Sequence, residues 1–179
     1  MNDKFIKLVR KRVASTSIGA STARGMGPKE TIQNARRFLM NLDLRAFANA
    51  KNQSSFQELL DNVTDKFRRS LPKGGQHWGS SRKFLNIFLR DAFYNRYLYG
   101  VYKLRKIEPW LEVPLDRNVA DGLHSEPGGK LLPSWKTVIG VDQQANKLYQ
   151  EFALNIAKKK GIRRVHLDLW YWRKLGKRA

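Results

Sequence analysis

The chain contains no cysteine. That absence excludes disulfides, thiolate zinc sites and iron-sulfur clusters, and with only three histidines in 179 residues soft metal ligands are scarce. No cofactor and no metal are expected. Long apolar runs are missing too: no stretch approaches the roughly 20 residues of a membrane-spanning helix, so no membrane anchoring is expected. Acidic residues are few, 15 Asp and Glu against 35 Lys and Arg, and they are dispersed. A metal-dependent nuclease needs clustered carboxylates, and none of the acids fall in that pattern.

What the chain has in excess is positive charge, a formal +20 with a pI near 10.5. Such an excess repels itself within a compact fold, and a polyanion relieves it, because neutralising phosphates releases condensed counterions. A phosphate-bearing nucleic acid is the expected partner, bound by a monomeric cytoplasmic (nucleoid-associated) protein. From 158 to 178 there are nine basic residues and one acid, a composition suited to phosphate contacts and not to sequence readout.

The length and a hydrophobic content of 41% suit one domain with a sizeable core. Residues 1–27 are basic and rich in Ser and Thr, a composition shared by flexible nucleic-acid-binding arms and organellar transit peptides; they lack a secretory apolar core. They read as a basic N-terminal arm, and 28–179 as a single helical domain.

Within that domain Pro28 is placed to open a helix over 29–40, where Ile32, Ala35, Phe38 and Leu39 recur at helical spacing. Leu44 and Phe47 predict a short helix over 43–50, and Phe56, Leu59, Leu60, Val63 and Phe67 a longer one over 55–70. Ser80 or Ser81 can cap the next helix, which is apolar except for Lys83, Asn86 and Arg90; their spacing of three and four places them on one stripe of a central helix. A helix over 142–160 ends at Gly161, and 166–175 suits either a short helix or a strand. No internal repeat is present, and the expected class is all-α.

Two segments carry candidate chemistry. Residues 73–79, Lys-Gly-Gly-Gln-His-Trp-Gly, lie between two helices, with Arg82 and Lys83 opening the second. Bare amides of Gly74, Gly75 and Gly79 at a helix N-terminus, aided by these cations, suit a phosphate; a turn with a glycine C-cap accounts for them equally. Further on, an extended run containing Pro114 leads to Asp116, which can cap a short helix over 117–123.

Together these segments, Gly79-Ser-Ser-Arg-Lys-Phe-Leu-Asn-Ile-Phe-Leu-Arg-Asp-Ala-Phe93 and Val113-Pro-Leu-Asp-Arg-Asn-Val119, resemble the core of the helix-hairpin-helix DNA glycosylases, which include endonuclease III and the 8-oxoguanine glycosylases. The resemblance covers 71–123. The spacing of Lys83 and Asp116, 33 residues (116 minus 83), is most similar to that of the archaeal 8-oxoguanine glycosylases. The hairpin departs from Leu-Pro-Gly-x-Gly, and Asn118 stands where a histidine commonly follows the aspartate by two. The resemblance implies a helix-hairpin-helix glycosylase-like fold and a DNA glycosylase with abasic-site lyase activity in base excision repair, acting on double-stranded DNA, with Lys83 as nucleophile and Asp116 as the carboxylate that stabilises charge on the sugar.

For that chemistry Lys83 must lose its proton, and partial burial beside Arg82 and Arg90 would depress its pKa; as plain residues, Lys83 is a phosphate contact or a solvated helix position. A flipped base needs an aromatic pocket. Trp78, His166, Asp168, Trp170 and Trp172 are candidates, with Tyr171 among them, although the same C-terminal cluster can serve to pack the last helix. Asp168 could also fix His166 or pair with Arg164 or Arg173. Gly74, Gly75, Gln76, His77, Gly79, Arg82 and Arg90 are the candidate DNA contacts. The composition alone also fits a non-enzymatic nucleic-acid binder associated with ribosome or nucleoid.

Overall fold

A computed structural model describes the backbone of residues 2–175 and the side chains of 2–172. Asn2 accepts the Lys4 and Phe5 amides and starts α1 (Asp3–Ser17), so an orphan pair of helical donors is satisfied at once. Ile6, Val13, Ala14, Ile18, Ala23 and Met26 all enter the main core. The first 27 residues are therefore not an arm. Apolar side chains at 6, 9 and 13 do repeat at helical spacing, but Lys4, Lys7, Arg10, Lys11 and Arg12 sit between them and mask the pattern.

The next elements are α2 (Glu30–Met40), α3 (Leu44–Ala48) and α4 (Gln53–Ser70). Asp43 caps α3, and Asn52 with Ser55 forms a reciprocal capping box on α4, which is why α4 begins ahead of the expected 55. After one 3-10 turn at Lys73–Gly75, α5 (Trp78–Tyr94) runs through the middle of the molecule with Phe84, Leu85, Phe88, Leu89 and Ala92 buried. It starts at Trp78, so Ser80 and Ser81 lie inside its first turn and do not cap it. α6 (Arg96–Tyr102) follows after Asn95, whose side chain accepts the Tyr97 and Leu98 amides.

An extended segment, 111–116, then leads to α7 (Arg117–His124), capped by Asp116 through the Val119 amide. Asp142 caps α8 (Gln143–Lys159), and the last segment is a helix, α9 (Leu167–Leu175). The architecture is all-α, with no strand among the described residues. No helix among them is long and apolar enough to cross a membrane.

The apolar residues form two clusters. One joins α1 to α6, together with Val138 and Val165. The other joins Val113 and Leu115 to α7, α8 and α9 through Val119, Leu123, Tyr149, Ala153, Ile156 and Tyr171. Between them the seam is polar and buried: Arg82 and Asn86 of α5 meet Glu112 of the extended segment, Asn146 and Gln150 of α8, and Arg164.

Gly79 belongs to this packing and not to an open anion site. It is buried, and a Cβ there would overlap the Val138 carbonyl oxygen and lie 2.8 Å from that of Val141. Backbone oxygens cannot yield as a flexible side chain can. Gly79→Ala is therefore expected to destabilise the protein by about 1–3 kcal/mol, read as a lowered midpoint in urea unfolding; an unchanged midpoint would show that the 137–141 turn moves freely.

Candidate active site

Lys83 lies early in α5 on the side that faces the loop after α1. Its Nζ donates to the Thr22 carbonyl oxygen at 3.1 Å, and the residue is only 8% exposed. Burial lowers its pKa below the usual lysine value, and the negative charge of Asp116 opposes that shift. The two residues are thus electrostatically coupled although 33 positions separate them.

Asp116 is held at both carboxylate oxygens. Oδ1 accepts the Val119 amide at 3.0 Å as the cap of α7, and Oδ2 accepts the Trp172 indole N–H at 3.0 Å. The N-cap bond fixes the carboxylate to the start of a helix, where the macrodipole also favours negative charge. Lys83, held by the Thr22 carbonyl, is within electrostatic reach of Asp116, which is held by Trp172. An amine depressed toward neutrality beside a rigid carboxylate is suited to attack an electrophilic carbon while stabilising positive charge near it.

The other candidates separate by helix geometry. Arg82, one residue and about 100° from Lys83, faces α4. It is 2% exposed, ion-paired with Asp61 and with Glu112 at 3.0 Å, hydrogen-bonded to Thr64 at 2.7 Å, and its guanidinium lies 4.9 Å from the Trp78 ring centre. It is not available to a phosphate. Arg90 pairs with Asp91 and Asp168. Burial depresses Lys83 as expected from the sequence, but Arg82 and Arg90, each paired with carboxylates, do not add to it. Asn86 also leaves the expected stripe, donating to Glu112 at 2.9 Å.

Glu112 is the functional neighbour that the sequence reading missed. Burial pushes its carboxyl up, but Arg82, Arg164 and hydrogen bonds from Asn86 and Asn146 outweigh burial and hold it below the usual range. A signal existed: Glu112 is the lone charge in the otherwise apolar stretch 109–115. Arg164 donates to the carbonyls of Trp110, Leu111 and Gln150, so it belongs to this seam and is not the partner of Asp168. Arg173 lies outside the described side chains.

Of the C-terminal cluster, Trp172 donates to Asp116, with 53% of its surface open. Asp168 is 5% exposed and ties α9 to Arg90. His166 accepts or donates at Tyr94 Oη, 2.7 Å from Nδ1, and meets Glu108 at 3.2 Å through Nε2, stacking on the Tyr94 ring. Trp170 carries the Lys160 ammonium 5.2 Å from its ring centre. Tyr171 packs against Gly122.

At the hairpin Gly74 and Gln76 are exposed and His77 is half-buried, while Gly75 is buried against Thr31 and the Met26 carbonyl. Gln76 donates to the Leu71 carbonyl at 2.8 Å and closes the turn. Pro28 and Met26, from the loop that also supplies Thr22, brace the turn at 73–75 together with Thr31 of α2, so one loop links this turn and the lysine. Among the described residues no group of three or more His, Asp or Glu is placed to hold a metal ion. Comparison with protein families, with curated proteins and with solved structures finds no match.

Proposed function

We propose that the protein is a DNA glycosylase of the helix-hairpin-helix type with abasic-site lyase activity. The observation that carries this reading is the convergence of Lys83 and Asp116. A desolvated amine on α5 and a carboxylate that caps α7 come from distant parts of the chain to lie near enough for their charges to interact.

In this reading the neutral Lys83 amine attacks the anomeric carbon of a damaged nucleotide, and the bond from that carbon to the base breaks with its electron pair leaving on the base, which takes up a proton. Asp116 stabilises the positive charge that builds on the sugar. The amine, having lost its protons, forms an imine with the opened sugar. Removal of a proton from the adjacent carbon then expels the 3′ phosphate by β-elimination, and water releases Lys83. Trp172, half-open beside Asp116, offers its face to the extruded base. The exposed part of the hairpin, with Gly74, Gln76 and Lys73, meets the duplex backbone.

Borohydride trapping tests this directly. Duplexes carrying an abasic site, 8-oxoguanine or uracil are incubated with protein and reductant, and a covalent adduct is expected with the wild type. Lys83→Gln is expected to bind the abasic duplex comparably and to form no adduct. An adduct that persists in Lys83→Gln would remove Lys83 as nucleophile; wild-type protein that binds DNA but neither traps nor releases any base would favour a non-enzymatic binder.

A further inference from the structure

The solvent side of α1 carries a row of cations that outnumber the carboxylates near them, Asp3 on the same helix and Asp91, which already serves Arg90 and Ser17. Lys4, Lys7, Lys11 and Arg12 are exposed; the three lysines, three and four residues apart, share one ridge, which Arg12 beside Lys11 widens. None of the four forms an ion pair among the described residues, whereas the neighbouring Arg10 is spent on the Leu42 carbonyl and the Tyr102 hydroxyl. Holding four like charges along one ridge is unfavourable unless a polyanion meets it.

The place of the ridge relative to the site follows from the contacts of α1. Thr22, just beyond α1, touches Lys83; Ser17 donates to Asp91 at 2.6 Å; Arg12 and Val13 border a shallow cavity with Tyr94 and Asn95; and the Phe5 ring packs edge-on to Tyr97 at 5.1 Å. α1 is therefore antiparallel to α5 and continues past its end. From Lys83 to Tyr94 is eleven residues of helix, about 16 Å, and the ridge extends outward from there by about 12 Å between Arg12 and Lys4. At 3.4 Å per base pair along one strand, those distances correspond to roughly five to eight base pairs from the reacting nucleotide.

We infer that the α1 ridge is a second phosphate-binding surface, which grips the backbone of the same duplex about five to eight base pairs to one side of the lesion. The inference rests on duplex DNA being the substrate. A lipid surface fits less well, because the apolar stripe of α1, Ile6, Val13 and Ala14, faces the core, and Phe5 is engaged by Tyr97, which leaves Leu8 alone among the cations. Phosphate contacts of this kind add affinity without sequence preference.

The test is a variant with Lys4, Lys7, Lys11 and Arg12 all changed to Gln, at positions whose exposure spares the fold. Binding to a duplex with a central abasic site is measured across a salt series. Each phosphate contact contributes about 0.9 to the slope of log affinity against log salt, so with four cations removed the slope is expected to fall by up to about 3.6. The rate of adduct formation at saturating DNA is expected to stay unchanged. Shortening one arm of the duplex to about four base pairs, inside the span estimated from helix rise, is expected to bring the wild-type slope down to that of the variant.

An unchanged slope in the variant would overturn the inference, as would loss of binding to phosphatidylserine vesicles with duplex binding intact. A reduced slope in a protein that traps no abasic site would keep the ridge and reject the lyase reading.

Discussion

Asp116→Asn is expected to slow base release on the order of 10²–10³-fold, and also to shift the acid limb of abasic-site trapping toward lower pH. The first effect follows from removing the fixed negative charge beside the sugar as positive charge develops there. The second has the opposite sense to a simple loss of function. Burial lowers the Lys83 pKa and Asp116 raises it; with Asn in its place, burial acts unopposed and the amine stays neutral further into acid. A pre-formed abasic site needs no bond to a base broken, so its trapping isolates the protonation state of Lys83 from the excision step. The measurement is single-turnover release from a damaged duplex alongside adduct formation across a pH series. A limb that stays in place, or moves toward higher pH, would show that Asp116 does not act on Lys83. The Asn side chain can still accept the Val119 amide, so the cap of α7 is largely kept.

Much of this arrangement was legible in the chain. Phe56, Leu60 and Phe67 set the buried face of α4, Asp116 is an N-cap that the sequence located directly, and the helix expected over 142–160 is present, with Asp142 as its cap. Lys83 and Asp116 could be singled out by residue type and context, but their proximity could not. It depends on how residues 111–116 cross α5, a tertiary result. The sequence also treats Arg82 and Lys83 as equivalent cations, yet one helical step turns one toward Asp61 and Glu112 and the other toward Thr22. α1 was concealed because its five basic side chains among 4–12 dominate the local composition while its buried residues are few. α6 begins directly after Asn95, a single residue beyond α5, so periodicity offered no break from which to recognise it.

The largest loss of stability is expected from Glu112→Ala. Glu112 is 3% exposed, pairs with Arg82, and accepts hydrogen bonds from Asn86, Asn146 and Gln57. Its removal leaves the buried Arg164 without its carboxylate and Arg82 with Asp61 alone, and breaking a buried pair from one side costs about 3–5 kcal/mol. For a chain of this size that corresponds to roughly 6–20 °C in melting temperature. Glu112→Gln keeps the shape and a hydrogen-bond acceptor, so its loss should be clearly smaller; a difference between the two variants of less than about 1 kcal/mol would place the seam's stability elsewhere. The smaller change is the informative one for the site. Arg82 immediately precedes Lys83, and Glu112 lies four residues before Asp116, so the pair that ties α5 to the extended segment also sets the spacing between amine and carboxylate. In Glu112→Gln the folded protein is expected to bind abasic duplex as the wild type does and to form adduct more slowly. Because Arg82 and Glu112 touch neither Lys83 nor Asp116, a lowered trapping rate with unchanged affinity would mark them as positioning residues, whose contribution lies in the geometry they impose on their neighbours.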